Sequence, residues 1–283
     1  MRDKEASSTA LFALMVRAYH QRFDAEPKIL DDPASVALAK HFQGAGGNPL
    51  WVWPRQILNP ARAAVIVRSR FAEDVLREVA TTSPCQYVIL GAGFDTFAHR
   101  RPPWAEAIPV FEVDHPATQE SKRLALSQLA FYEPDNLRYC PVDLQRTPLP
   151  DALRQAGFDF DTPAVFAWLG VTMYITEAAI RSTLEFISSL PRSTTVVFTF
   201  VPTDSSLPDD ERRALSGFIE RAAAGGEPFI SRFAPTEILG LLGELRYKDV
   251  RHVLPTEAQD LYFTGRTDGL AAASIEQVIQ ARV

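Results

Sequence analysis

The chain reads as an α/β protein: a doubly wound seven-stranded sheet with a terminal antiparallel hairpin, preceded by an all-helical leader. Three observations lead there. The apolar run Tyr87-Val88-Ile89-Leu90 breaks into Gly91-Ala92-Gly93-Phe94-Asp95-Thr96, a strand entering a glycine turn. A second apolar run, Val110-Phe111-Glu112-Val113, ends in Asp114, 21 residues after Gly93. Beyond residue 84, strand and helix patterns alternate, which implies a mainly parallel sheet covered on both faces.

The elements follow in order. Residues 7–23 place Leu11, Leu14, Met15, Ala18 and Tyr19 on one helical face. Asp31-Asp32-Pro33 opens a short helix to about Phe42, and Gly44–Pro49 is a loop. A long helix follows Pro60 through Ala64, Val67, Phe71, Val75 and Leu76, ended by Thr81-Thr82-Ser83-Pro84. The leader is therefore 1–84 and the sheet domain 85–283. Strands are expected at 86–91, 109–114, 137–142, 163–169, 194–201, 246–253 and 260–266, with helices near 95–100, 116–130, 176–189, 208–222 and 235–242. Leu254–Gln259 is too short for a crossover, so the last two strands are expected to form the antiparallel hairpin.

Composition narrows the function. Hydrophobic content of 46% and charged content of 23% over 283 residues are ordinary for a soluble globular protein. No apolar run approaches the ~20 residues that span a bilayer. The charged start Met1-Arg2-Asp3-Lys4-Glu5 is not followed by a compact signal sequence. A cytoplasmic protein with no membrane partner is expected. A net charge of −6 disfavours nonspecific nucleic-acid binding, and no nucleic-acid partner is expected. Two cysteines, Cys85 and Cys140, cannot build a disulfide framework or a four-thiolate site and are read as core packing. No metal is expected.

The glycine turn admits more than one ligand. Glycines let a backbone approach a ligand closely, and a carboxylate at the second strand's tip can bind ribose hydroxyls. A dinucleotide site has a third glycine, where this chain has Thr96. S-adenosylmethionine carries no phosphate and needs no full phosphate cradle, so Gly91-Ala92-Gly93-Phe94-Asp95 fits it better. A dinucleotide, or a bare strand-to-helix turn, remains the alternative. In such a sheet ligands lie outside the C-terminal strand ends. Those ends carry Gly91 and Gly93, Asp114, Asp143 with Leu144, and Leu169-Gly170. Asp143 can accept from an adenine amino group, with Leu144 giving a backbone N–H and an apolar wall. Alone, Asp143 reads equally well as a helix cap.

At this point the chain resembles the class I S-adenosylmethionine-dependent methyltransferases of the leucine carboxyl methyltransferase type, which include bacterial O-methyltransferases of secondary metabolism. The matching pieces are Leu30-Asp31-Asp32-Pro33, Arg68-Ser69-Arg70-Phe71, Val88 to Thr96, Phe111-Glu112-Val113-Asp114-His115-Pro116 and Gly170-Val171-Thr172-Met173-Tyr174. They run in order through about residues 10–200. The resemblance implies a Rossmann-like methyltransferase sheet with S-adenosyl-L-methionine as cofactor. Arg68 is implied to hold the cofactor carboxylate, Gly91 with Ala92, Gly93 and Asp95 to line it, Asp114 to hold the ribose, and Asp143-Leu144 the adenine. Arg17 falls near a basic residue that also reaches the carboxylate, and His115 would face the adenosine. Leu169 stands where some relatives have a cofactor-lining Glu. Phe97 and His99 replace Arg and Tyr, which either reshapes the pocket or repacks a helix.

The implied reaction is O-methylation of a small-molecule acceptor carrying a carboxylate or hydroxyl; a homodimer is compatible with this reading. A carboxylate acceptor needs no base, whereas a phenol with pKa near 10 benefits from one. Candidate bases are His20, His41, His99, His115 and His252. The acceptor pocket should be aromatic, with Phe42, Trp51, Trp53, Tyr174, Phe200, Phe218, Phe229 and Phe233 as candidates. Tyr174, just after strand four, is the leading catalytic candidate. The leader and an insertion at about 201–233 are expected to form a lid. The rivals are a nicotinamide oxidoreductase, for which no Tyr-x-x-x-Lys pairing appears, and a noncatalytic cofactor-binding regulator.

Overall fold

The computed structural model describes residues 7–44, 55–143 and 147–283. Leu144, Trp51, Trp53 and the 45–49 part of the expected loop lie outside the described residues. Seven strands form one sheet: β1 Gln86–Leu90, β2 Val110–Asp114, β3 Leu137–Pro141, β4 Ala164–Trp168, β5 Thr195–Phe200, β6 Lys248–Val253 and β7 Gln277–Arg282. Their order is β3-β2-β1-β4-β5-β7-β6, parallel except for β7, which pairs antiparallel with β5 and β6. The order reverses between β1 and β4, the switch point where ligands of such sheets bind.

β1 and β4 are buried along their whole length, as strands covered on both faces must be. Alternate side chains go to opposite layers. Tyr87 and Ile89 pack with Leu14, Leu38 and Val67 from three leader helices: α1 Ser8–Phe23, α2 Pro33–Gly44 and α3 Arg55–Thr82. Val88 and Leu90 join the opposite layer, which contains Ile180, Leu184 and Ile187. Along the rest of the chain follow α4 Phe97–Arg100, α5 Pro116–Gln128, α6 Leu149–Gln155, α7 Glu177–Ser188, α8 Asp209–Ala224, α9 Pro235–Glu244 and α10 Pro255–Ala258. α7 shows how these helices are specified. Thr176 accepts from the Ala179 N–H at 3.3 Å as N-cap, and Ile180, Thr183, Leu184 and Ile187 make one buried stripe. Cys85 and Cys140 are buried, free and packed in different layers, and burial raises both thiol pKa values, that of Cys140 to about 12.

Two expectations are corrected. Residues 260–266 are not a strand: Gln259–Phe263 is a helical turn of π type. Phe263 is buried, and the Tyr262 hydroxyl donates to Asp74 Oδ2 at 2.9 Å, so these aromatic residues anchor a turn on α3. The seventh strand lies later, at Gln277–Arg282, and the β6–β7 connection is long, not a tight hairpin loop. The α3 helix also begins before Pro60, which sits inside it near the start. There the missing N–H removes one hydrogen bond without ending the helix. No described helix is long and apolar enough to cross a membrane.

Candidate functional site

The glycine turn after β1 sets the floor of a cavity of about 210 Å³. Gly91 has φ +67°, and a Cβ there would lie 2.2 Å from Val171 Cγ2. Gly170 has φ +72°, and its Cβ would lie 2.4 Å from Arg68 Nη1. Both positions thus need a glycine for conformation and for space. They stand at the ends of β1 and β4, where the Val171 side chain and the Arg68 guanidinium pack directly on the glycine backbone. Gly91, Ala92, Gly93, Asp95, Asp114, Leu169, Arg17, Arg68 and Tyr174 all line the cavity.

Asp114 organises the turn. Its Oδ2 accepts from the Gly93 N–H at 2.5 Å and its Oδ1 from the His115 N–H at 2.6 Å. Burial raises its pKa, against the pull of these two N–H groups and of Lys122. Beneath it, Lys122 Nζ lies 2.5 Å from Glu112 Oε2 with both side chains sealed from water. Burial likewise raises the Glu112 pKa, with Lys122 opposing it.

Arg17 and Arg68 reach the cavity in different ways. Arg17 Nη2 donates to the Phe94 carbonyl at 2.5 Å, its Nε is 3.0 Å from Asp32 Oδ2 and its Nη1 is 3.7 Å from Asp95 Oδ2. Asp32 is fully buried, takes hydrogen bonds from Thr96 Oγ1 at 2.6 Å and Ser35 N at 3.1 Å, and also faces Arg100. Arg100 in turn pairs with Glu73. Burial alone would raise the Asp95 pKa, but Arg17 and Arg100 more than offset it and hold the group below the usual carboxylate value. Arg68 has a simpler environment: its Nη1 donates to Glu276 Oε1 at 2.7 Å and Oε2 at 2.5 Å.

The other wall is apolar. Phe12 from α1 meets Phe218 from α8 edge-on at 5.1 Å, Phe218 meets Phe229 at 5.9 Å, and Phe229 meets Tyr174 at 5.2 Å and 88°. Met173, Val201, Leu215 and Ile275 complete it. Burial pushes the Tyr174 phenol well above its ordinary pKa, Glu227 and Glu276 add to this, and a hydrogen bond with Thr9 and the Arg68 charge oppose it. The phenol is therefore neutral at ordinary pH. The two parts of this wall are tied by Glu227, whose Oε2 accepts from Ser8 Oγ at 2.7 Å and Thr9 N at 2.8 Å.

Other expected residues lie elsewhere. Asp143 sits beyond the end of β3 and does not line this cavity; its carbonyl accepts from Thr147 N at 2.9 Å. His115 caps α5, with Nδ1 accepting from Ala117 N at 3.3 Å. No histidine lines the cavity. His20 is buried between Asp24 Oδ2, at 2.7 Å, and the Ile29 N–H, at 3.1 Å. His41 packs on Phe42, and His252 bonds Gln277 at 2.7 Å. His99 lies near Phe131, and burial lowers its pKa to about 4. Phe97 packs edge-on against Tyr87 at 4.9 Å, so the changes at 97 and 99 repack a helix and do not shape the cavity. Phe42 packs on Phe94 behind the glycine turn, and Phe200 and Phe233 are core. Phe12, Glu227 and Glu276 are cavity residues the sequence reading missed. Phe12 had a signal, since it neighbours Leu11 on a helix assigned to the lid.

Comparison with known proteins agrees with this layout. The family model for leucine carboxyl methyltransferase matches residues 10–188. A Bacillus subtilis protein provisionally named S-adenosyl-L-methionine-dependent methyltransferase YktD is 32% identical over an alignment of 306 residues, covering 99% of each chain. A Mycobacterium avium protein with a similar provisional name is 30% identical, over 74% of this chain and 72% of its own. Two crystal structures share the fold. One, of a provisionally assigned methyltransferase from Thermobifida fusca, has a TM-score of 0.58 at 17% identity, covering 99% of this chain and 96% of its own. The other, of a duf574 family protein from Streptomyces avermitilis, has a TM-score of 0.56 at 15% identity, covering 99% and 98%. The chain belongs to the leucine carboxyl methyltransferase family, and it is a class I S-adenosylmethionine-dependent methyltransferase.

Proposed function

We propose that the chain methylates an oxygen of a small, largely apolar acceptor, with a carboxylate favoured over a hydroxyl. One observation carries this reading: the cavity joins a polar, glycine-lined floor to an aromatic wall, yet none of the five histidines lines it. A carboxylic acid reaches neutral pH already ionised and needs no proton acceptor, whereas a phenol does.

The residues present fit the donor. Gly91 and Gly170 let the Val171 side chain and the Arg68 guanidinium approach the backbone, so Arg68 lines the same cavity as the glycine turn. The Gly91–Gly93 backbone would line the donor, Asp114 would accept from the ribose hydroxyls and Arg68 would hold the carboxylate. Asp143 and Leu144 remain the candidates for the adenine, Asp143 lying beyond the end of β3 and outside this cavity. Bound S-adenosylmethionine supplies an electrophilic methyl carbon on a sulfonium. The chain's own contribution is alignment and exclusion of water. Phe12, Phe218 and Phe229 would desolvate the acceptor oxygen, and the neutral Tyr174 hydroxyl can orient it. The leader and the 201–233 insertion together would act as the lid.

The test is transfer from labelled donor to matched apolar carboxylic acids and phenols across pH. Acids should be methylated with a rate that is flat above the acceptor's own pKa. Phenols should react slowly, with rates rising toward their pKa near 10. Turnover of phenols alone, titrating near neutral pH, would overturn the carboxylate preference. Transfer to neither class would overturn O-methylation.

A further inference from the structure

Arg68 and Glu276 are a pair of opposite charges inside the cavity, 208 residues apart in sequence. Arg68 comes from α3 and Glu276 from the residue before β7. The side chains are only 13% and 9% exposed. Both Glu276 oxygens meet one nitrogen, Nη1, at 2.7 and 2.5 Å. Among the described residues no other hydrogen bond reaches either side chain, and both residues line the cavity. A partly buried ion pair gains little net stability, because desolvation offsets the attraction. A pair set in a cavity wall is better suited to meeting a ligand.

The other acids of this cavity are committed elsewhere. Asp114 accepts from two backbone N–H groups, Asp95 faces Arg17 and accepts from Phe97 N, and Glu227 accepts from Ser8 and Thr9. Leu169, beside Gly170, brings no charge to this wall. Glu276 is thus the cavity acid whose described hydrogen-bonding partner is another cavity side chain.

We propose that Arg68 and Glu276 form one subsite for the amino-acid end of the methyl donor, with Arg68 meeting the α-carboxylate and Glu276 accepting from the α-ammonium. This rests on the donor reading above. An amino-acid group is a zwitterion, with its two charges on neighbouring atoms. An arginine alone matches half of it. An Arg–Glu pair matches both halves and leaves no uncompensated charge when the ligand arrives. A carboxylate oxygen has more than one acceptor direction, so Glu276 can bond the ammonium without releasing Arg68.

Calorimetry on the full chain tests this with three probes: S-adenosylhomocysteine, its analogue lacking the α-amino group, and methylthioadenosine, which lacks the whole amino-acid end. Glu276→Gln should weaken S-adenosylhomocysteine by about tenfold to a hundredfold, the range of a lost charge-assisted hydrogen bond. It should leave the deaminated analogue and methylthioadenosine unchanged, the latter also reporting that the variant is folded. Glu276→Asp, which keeps the charge, should recover part of the loss. Equal weakening of the deaminated analogue would overturn the assignment, because Glu276 would then only position Arg68. Unchanged or tighter S-adenosylhomocysteine binding would overturn it as well. Failure of the unmutated chain to bind any of the three would instead overturn the donor reading itself.

Discussion

Arg17 and Arg68 border the same cavity and differ in how much of each guanidinium is already engaged. Arg17 is closed: its nitrogens face a carbonyl and two carboxylates, and Asp32 behind it is itself held by Thr96, Ser35 and Arg100. Arg68 is less committed, with one nitrogen on Glu276 and its guanidinium lying against Gly170. The contrast separates an arginine that holds the leader onto the glycine turn from one available to a ligand. Both were candidates for the same carboxylate, and residue type alone could not tell them apart.

The largest effect should come from breaking the closed side. Arg17→Ala leaves Asp32 and Asp95 short of a counterion, and breaking a buried charge pair in this way costs about 3–5 kcal/mol. Denaturant unfolding should show this loss. Arg68→Ala should cost the fold less, because the Glu276 it leaves behind borders the cavity, but should weaken donor binding by about 1.5–3 kcal/mol, tenfold to a hundredfold in Kd by calorimetry. Equal stability losses in the two variants would erase the distinction.

Gly170→Ala sharpens the same comparison at smaller scale. A Cβ there meets Arg68, whereas Gly157 has a similar positive φ of +82° and open space around its Cβ. Both alanine variants should lose roughly 1–2 kcal/mol of stability from backbone strain. Only Gly170→Ala should also weaken the donor, because only there must the guanidinium move.

The smallest effect is a pH shift. Burial raises the Asp114 pKa, so this carboxylate protonates at higher pH than an ordinary aspartate. Donor affinity should fall on acidification through that raised value, as the acceptor for the ribose is lost. Asp114's own contribution to folding runs the other way. It is fully present below the unfolded pKa and is lost as pH rises through the folded one. Asp114→Asn should remove the pH step in donor binding; a step that persists would assign it to another group.

Much of the floor was legible because it is local. A strand, a glycine turn and an acid at the next strand's tip are each set by a few adjacent residues, and Gly91, Gly93 and Asp114 do meet at one place. Tertiary partners were harder to read. Glu276 has no signal of its own, since its meaning comes from an arginine 208 residues away. It was further hidden by the misplaced last strand. Leu261-Tyr262-Phe263 has the aromatic character of a strand, yet Phe263 is buried by a helical turn while Leu261 stays exposed. The true β7, Gln277–Arg282, mixes glutamines with Val278, Ile279 and Ala281 and so looks less apolar than it is buried. The histidines were unresolvable by type, because His20 and His115 do structural work that only their partners reveal.

Glu227 carries a consequence for turnover. The roof over the apolar wall is made by α1 and the segment after α8, and this one carboxylate links them through hydrogen bonds to Ser8 and Thr9. Each such bond contributes only about 0.5–3 kcal/mol net, whereas the floor belongs to a hydrogen-bonded seven-stranded sheet. On the proposed reading, separating this roof would be the cheapest route out for a methylated product, and its residence time would be governed at α1, far in sequence from the glycines that define the floor.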